Sequence, residues 1–108
     1  ETISIDEFRR LDLRVAEVVA AEPVPRSRKL LKLTVSLGDE RRTIVAGIGE
    51  HYDPAELVGR KVAAVVNFPP RQIGPVMSEV LTLGFPDADG EVVLVGVDRD
   101  AVIGGRLF

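Results

Sequence analysis

Between two apolar strands the chain sets Asp53-Pro54-Ala55-Glu56, a helix start with almost no helix behind it. Aspartate is a favoured N-cap, proline is pre-organised for the first helical position, and Glu56 stands where a capping box would close. Gly59 then ends the segment, so "PAELV" is barely more than one turn. A single helical turn at a fixed place among strands narrows the choice of folds sharply. Upstream, "LRVAEVV" has a period of two from Leu13, with Leu13, Val15 and Val19 predicted to share a face and Glu17 the exception. Glu22, Pro23 and Pro25 break that strand. In "LLKLTVSL" (30–37) Leu31, Leu33, Val35 and Leu37 alternate with Lys32, Thr34 and Ser36. Gly38-Asp39-Glu40 turns the chain, and "RRTIVAGI" returns as the hairpin partner. Downstream, "KVAAVVNF" (61–68) is a near-continuous apolar strand, and "EVLTLGF" follows a connection at 69–77.

Three strands, a short helix and two more strands is the order of the OB fold, a five-stranded, partly open Greek-key barrel. An SH3-like barrel lacks the helix at that place, and a β-sandwich wants more strands. The predicted class is therefore all-β. A chain of 108 residues fits one domain, with a barrel over about 12–84 and flanks at 1–11 and 85–108. Ser4 and Glu7 form a capping box that opens "IDEFRRL", where Ile5, Phe8 and Leu11 can share one face. After the barrel come a turn at Asp87-Ala88-Asp89-Gly90, the strand "EVVLVGV" and a short terminal strand in "GGRLF".

Charge is unevenly spread. From Arg26 to Ser78 nine cations face five acids, a net of +4, which leaves −7 to the flanks of a chain with formal charge −3. The overall sign opposes indiscriminate binding to phosphate, whereas the basic middle permits a local site. The connection "NFPPRQIGPVMSEV" then stands out. Pro69 and Pro70 remove two backbone donors and stiffen the exit from the fourth strand, so Arg71 is presented with little freedom. Ser78 offers a hydroxyl that can reach a ligand or cap the loop. In an OB barrel this connection is one rim of the binding groove.

Chemistry of other kinds is poorly supplied. The chain has no cysteine, hence no disulfide, thiol nucleophile or thiolate metal site. His51 is the only histidine, and beyond Glu50 and Asp53 nothing near it could complete a metal site. No glycine-rich phosphate loop occurs. No cofactor, metal or enzymatic activity is expected. No apolar run approaches the ~20 residues that span a bilayer, and the N-terminus lacks the basic-then-apolar pattern of a secretory signal. A cytoplasmic protein with no membrane partner is the simplest reading. Phe68 and Phe85 flank the connection and could stack on a base for about 1–3 kcal/mol.

Several strings carry a resemblance: "DLRVAEV", "KLLKLTV", "PAELVGRKV" and the tail "VDRDAVIGGRLF". With them the chain resembles the small tRNA-binding domain found free-standing as a dimer, at the C-terminus of methionyl-tRNA synthetases and in related synthetase cofactors. "AVVNFPPRQI" and "SEVLTLG" are also similar to the CsaA-type export chaperones, a branch of the same superfamily that binds unfolded protein. Two departures lean towards that branch: Gly74-Pro75 replace a basic residue and glycine, and Leu81-Thr82 replace Met-Leu after Ser78. The resemblance implies a homodimer that recognises tRNA by shape and backbone, with a synthetase as a further partner. Arg26, Arg28, Lys29, Lys32, Arg41 and Arg42 would meet phosphates from one side, and Phe68, Arg71 and Ser78 would close the groove from the other. The dimer interface would use Ile5, Phe8, Val102, Ile103, Leu107 and Phe108. The alternative is a chaperone that takes unfolded polypeptide in the same groove.

Overall fold

In the computed structural model, which describes residues 1–108, the chain forms a nearly closed antiparallel barrel of the OB type. Helix α1 (Ile5–Phe8) precedes β1 (Leu13–Pro23), β2 (Leu31–Ser36) and β3 (Arg41–Ala46). Helix α2 (Pro54–Leu57) leads to β4 (Lys61–Val65), and a hairpin of β5 (Arg71–Ile73) and β6 (Val76–Ser78) follows. Then come β7 (Leu81–Thr82), β8 (Gly84–Pro86) and β9 (Val92–Leu94). The main sheet runs β3-β2-β1-β4-β7, and β8 with β9 forms a separate hairpin.

The alternation of β2 is realised as expected. Leu31, Leu33, Val35 and Leu37 are buried, and all four belong to a twelve-residue core that also holds Ala16, Val18, Ile44, Ile48, Leu57, Val62, Ala64 and Val80. The short helix puts Leu57 into that core, fully buried, which fixes α2 against the end of the barrel. Of the anticipated box at α2, the Asp53 half is formed: its carboxylate accepts from the Ala55 N–H. Gly59 closes the turn at φ 93°.

β1 corrects the facing read from sequence. Ala16 and Val18 point into the core, not Val15 and Val19. Val19 sits in a bulge, where the register with β2 shifts between Val18 and Ala20. Leu13 pairs in register with Val65 on the opposite face, both buried, and Val15 beside them is half-buried; the C-terminal segment pairs along the free edge of β1, where the Val15 N–H donates to Gly105 C=O at 3.0 Å and its C=O accepts from Gly104 N–H at 2.8 Å. Glu17 is thus regular for the outer face. A strand covered on both sides does not show in sequence which side is the core.

The fifth strand is broken. β7 has two residues paired with β4, and the chain leaves at once for the β8–β9 hairpin. The connection expected at 69–77 is largely regular: residues 71–78 form a hairpin with Arg71 opposite Ser78 and a two-residue turn at Gly74-Pro75, so Ser78 ends β6 and does not open the last barrel strand. Gly74 lies at φ 60°, the conformation that the first position of a type II′ turn requires.

Candidate functional site

Barrel closure and groove are built by the same residues. Where β3 meets the returning chain, side chains replace part of the backbone ladder. The Val45 N–H donates to Ser78 Oγ at 3.0 Å, and the Thr43 N–H donates to Glu79 Oε1 at 3.0 Å. One backbone bond joins them, Glu79 N–H to Thr43 C=O at 2.8 Å. Ser78 also donates to Val80 C=O at 3.3 Å and is buried. Its hydroxyl is therefore spent within the protein, and the polar Ser78-Glu79 pair seals the open edge of β3. Ser78→Ala should leave the buried Val45 N–H without a partner, which costs about 1–3 kcal/mol. That corresponds to a melting temperature lower by roughly 4–24 °C. Ligand affinity per folded molecule should be unchanged, as a titration corrected for the folded fraction will show.

Beside this seam lies a groove of about 440 Å³. It is lined by Val45 to Ile48 of β3 and the residues after it, by Ser78 to Thr82, by Phe68, Pro69, Arg71 and Ile73, and by Val92 of β9. Phe68 is half exposed within it. Phe85 is elsewhere, paired with Val93 on the outer hairpin and 70% exposed, so the two phenylalanines do not make one platform. Met77 faces solvent beside Gln72.

The cations divide. Arg26, Arg28 and Lys29 occupy the β1–β2 loop, all exposed. That loop is pinned from behind: Gly49 N–H donates to Lys29 C=O at 2.7 Å, and a Cβ on Gly49 would lie 2.9 Å from Arg28 O. Its Leu30 side chain lies 3.4 Å from where a Cβ on Gly74 would be, so the loop abuts the hairpin that carries Arg71. Arg26, Arg28, Lys29 and Arg71 have no ion-pair partner among the six pairs in the molecule. Lys32, one residue into β2, stands 3.8 Å from Glu22, an exposed pair of little energetic weight. Arg41 and Arg42 sit at the far end of β2, opposite Ser36 and Val35. Arg42 is further engaged, 2.6 Å from Glu40 and donating to Val66 C=O at 3.3 Å. The fold thus gathers Arg26, Arg28 and Lys29 on one loop, sets Arg71 in the groove lining at the Ser78 end of the hairpin whose tip that loop touches, and leaves Arg41 and Arg42 about a strand length from the loop.

The flanks converge on the outer side of β1. Asp12 receives Arg14 through both oxygens at 2.9 and 3.1 Å and draws in Arg106 at 3.6 Å. The hydrogen bonds that Arg14 donates to the Asp12 carboxylate raise its pKa above the ordinary value. Asn67 ties the same corner together, accepting from Asp12 N–H and donating to Arg10 C=O. Phe8, Leu107 and Phe108 line a recess with Arg106; of the apolar flank residues Ile5, Val102, Leu107 and Phe108 are exposed, while Phe8 and Ile103 are half-buried. His51 stands 3.1 Å from Glu91 and joins the α2 approach to the outer hairpin. In that hairpin the Glu91 and Asp89 N–H groups hold the Asp87 carboxyl below its usual range.

Sequence reasoning missed Glu79, Thr82, Gly47 and Val92 as parts of the groove. For Ser78-Glu79 a signal existed: two polar residues open an otherwise apolar strand. Val92 comes from a segment read as a flank, and nothing local marks it.

Comparison with known proteins adds to this geometry. The family model described as "Putative tRNA binding domain" matches residues 13–106. The chain is 47% identical over 107 residues to a methionine–tRNA ligase of Methanocaldococcus jannaschii, covering 99% of this chain and 16% of that protein. Among solved structures, a MetRS-related protein from Pyrococcus horikoshii superposes with a TM-score of 0.92 at 37% identity, covering 100% of this chain and 99% of that one. The chaperone CsaA of Bacillus anthracis superposes at 0.88 with 34% identity and full coverage of both chains.

Proposed function

The chain belongs to the tRNA-binding domain family, and from that premise we propose that it binds tRNA as a homodimer, recognising shape and backbone rather than base sequence. The observation that carries this is the set of cations without an ion-pair partner: Arg26, Arg28 and Lys29 on the β1–β2 loop, and Arg71 in the groove lining on the hairpin that the loop abuts. Phosphates supply the charge those side chains lack, and charge-assisted contacts are the strong class of hydrogen bond. Arg41 and Arg42 would meet a second stretch of backbone, which a ligand as large as tRNA can supply. A synthetase partner accords with the likeness to methionine–tRNA ligases, of which the chain spans about one sixth, and a cytoplasmic setting accords with both.

Self-association rests on the apolar flanks. Val102 is 78% exposed and Phe108 fully so, and Ile5 and Leu107 are exposed as well. Closed two-fold pairing would bury one such patch on its equivalent. Light scattering at micromolar concentration should give about twice the 11.7 kDa chain mass, and a monomer there would remove the dimer from the account.

A second reading has its own observation: the groove walls are largely apolar, and the likeness to CsaA covers the whole chain. On that reading the ligand is unfolded polypeptide. Titrating tRNA and an unfolded polypeptide against the protein decides between them. Arg71→Ala should weaken tRNA binding by about 1–2 kcal/mol and leave the melting temperature in place, because the side chain is exposed. If polypeptide binds and tRNA does not, the chaperone reading stands instead.

A further inference from the structure

We infer that Arg26 is a preset phosphate contact, held on a left-handed backbone that weakens the free protein; this rests on the tRNA-binding reading and names the residue that the β1–β2 loop is shaped to present. Six residues of the chain have φ between 60° and 98°, and five are glycines: Gly38, Gly59, Gly74, Gly90 and Gly104. The sixth is Arg26, at φ 67°. In that region a Cβ crowds the following carbonyl oxygen, so glycine, and next asparagine, is usual there. The loop imposes this conformation. Ser27 N–H donates to Val24 C=O at 3.1 Å, with Pro25 second and Arg26 third in the turn between them. Proline second and positive φ third define a type II turn, whose third position favours glycine or asparagine. Its supports lie within the fold: Val24 is buried, its N–H donates to Leu30 C=O at 3.0 Å, and Leu30 N–H donates to Ser27 Oγ at 3.0 Å.

Within the free protein the arginine returns nothing for this strain. Its side chain is exposed and belongs to none of the six ion pairs, and the loop's one side-chain hydrogen bond is the one from Leu30 to Ser27. A glycine would satisfy the same turn with less crowding. Strain that the surroundings impose and no internal contact offsets is characteristic of binding sites. The guanidinium fork, always charged, matches a phosphate through two parallel hydrogen bonds. Three cations within the four residues Arg26 to Lys29 suit a run of backbone phosphates better than one isolated carboxylate. A platform already fixed by its turn also loses little freedom when it binds.

The two roles of the position separate by substitution. Arg26→Gly and Arg26→Asn relax the backbone and remove the guanidinium. Arg26→Ala keeps the strain and removes the guanidinium, and Arg26→Lys keeps both strain and charge. The probes are tRNA, single-stranded polyuridylate and an unfolded polypeptide, each titrated at several salt concentrations, with a melting curve for every variant. The glycine and asparagine variants should melt at the wild-type temperature or up to about 8 °C above it, and the alanine variant with wild type. All three should bind tRNA and polyuridylate about tenfold or more weakly, the scale of one lost charge-assisted contact. Their salt slopes should be shallower by about 0.7–0.9, the share of one phosphate. Arg26→Lys should restore the slope and part of the affinity. Wild-type affinity in the glycine, asparagine and alanine variants overturns the inference and leaves tRNA binding intact. A melting temperature several degrees lower in both the glycine and asparagine variants assigns Arg26 to the fold and overturns it too. Binding of polyuridylate but not tRNA, with the same sensitivity at Arg26, supports the contact and sinks the tRNA reading. Binding of unfolded polypeptide alone overturns both.

Discussion

Gly104→Ala is expected to lower the melting temperature by more than 12 °C. Gly104 lies at φ 80°, and a Cβ built on it would stand 2.1 Å from the Leu37 carbonyl oxygen. Positive φ alone costs an alanine about 1–2 kcal/mol. The clash is with backbone at the end of β2, which cannot swing away as a side chain would. Relief requires the C-terminal segment to lift from β1, breaking the Gly104–Val15 bonds and exposing Leu13 and Val15. A total of at least about 3 kcal/mol follows, in the class of the largest single-residue effects, and each kcal/mol shifts the melting temperature by about 4–8 °C at this size. Gly59→Ala is the internal control: φ is 93° there, but no atom lies within 4 Å of the added Cβ. It should cost only the backbone strain. Thermal unfolding followed by circular dichroism compares the two, and equal losses would mean that the C-terminal segment does not hold β1.

Reversing charge at Arg28 and Lys29 together should weaken tRNA binding by at least about a hundredfold at moderate salt, two charge-assisted contacts being worth about 1.5–3 kcal/mol each. The salt dependence should change with it. If about five cations meet phosphates, log affinity falls with log salt at a slope near −3 to −4, and the double reversal flattens that slope by about one unit or more. Folding should be unaffected, because the bonds to Gly49 use the Arg28–Lys29 backbone and both side chains are exposed. Arg41→Glu, a strand length away, should weaken binding far less. If Arg41→Glu does the greater damage, the ligand lies along the other end of β2.

What the sequence shows of this molecule depends on how local each cause is. The β2–β3 hairpin and the start of α2 are written in neighbouring residues: alternation from Leu31 to Leu37, a turn at Gly38, a cap at Asp53. All of these are present in the fold. The facing of β1 was not legible, because a bulge at Val19 changes its parity and its other face is apolar and buried as well, with Leu13 against Val65. Arg71 and Phe68 could be placed at the groove because two prolines announce a stiff connection. The role of Ser78-Glu79 could not, since it depends on β3 lacking a full backbone partner there. Likewise a count of cations from Arg26 to Ser78 treats as one patch what the length of β2 separates into two.

Amide hydrogen exchange, measured with and without saturating tRNA, tests the binding account most directly. Bound tRNA should slow exchange in the β1–β2 loop around Arg26 to Leu30, at Gly47 to Gly49 and across the Arg71–Ser78 hairpin. The Asp39–Arg42 turn should change less, and the β8–β9 tip not at all. Protection confined to that tip or to the Arg41–Arg42 end, with the groove exchanging as in the free protein, would contradict it.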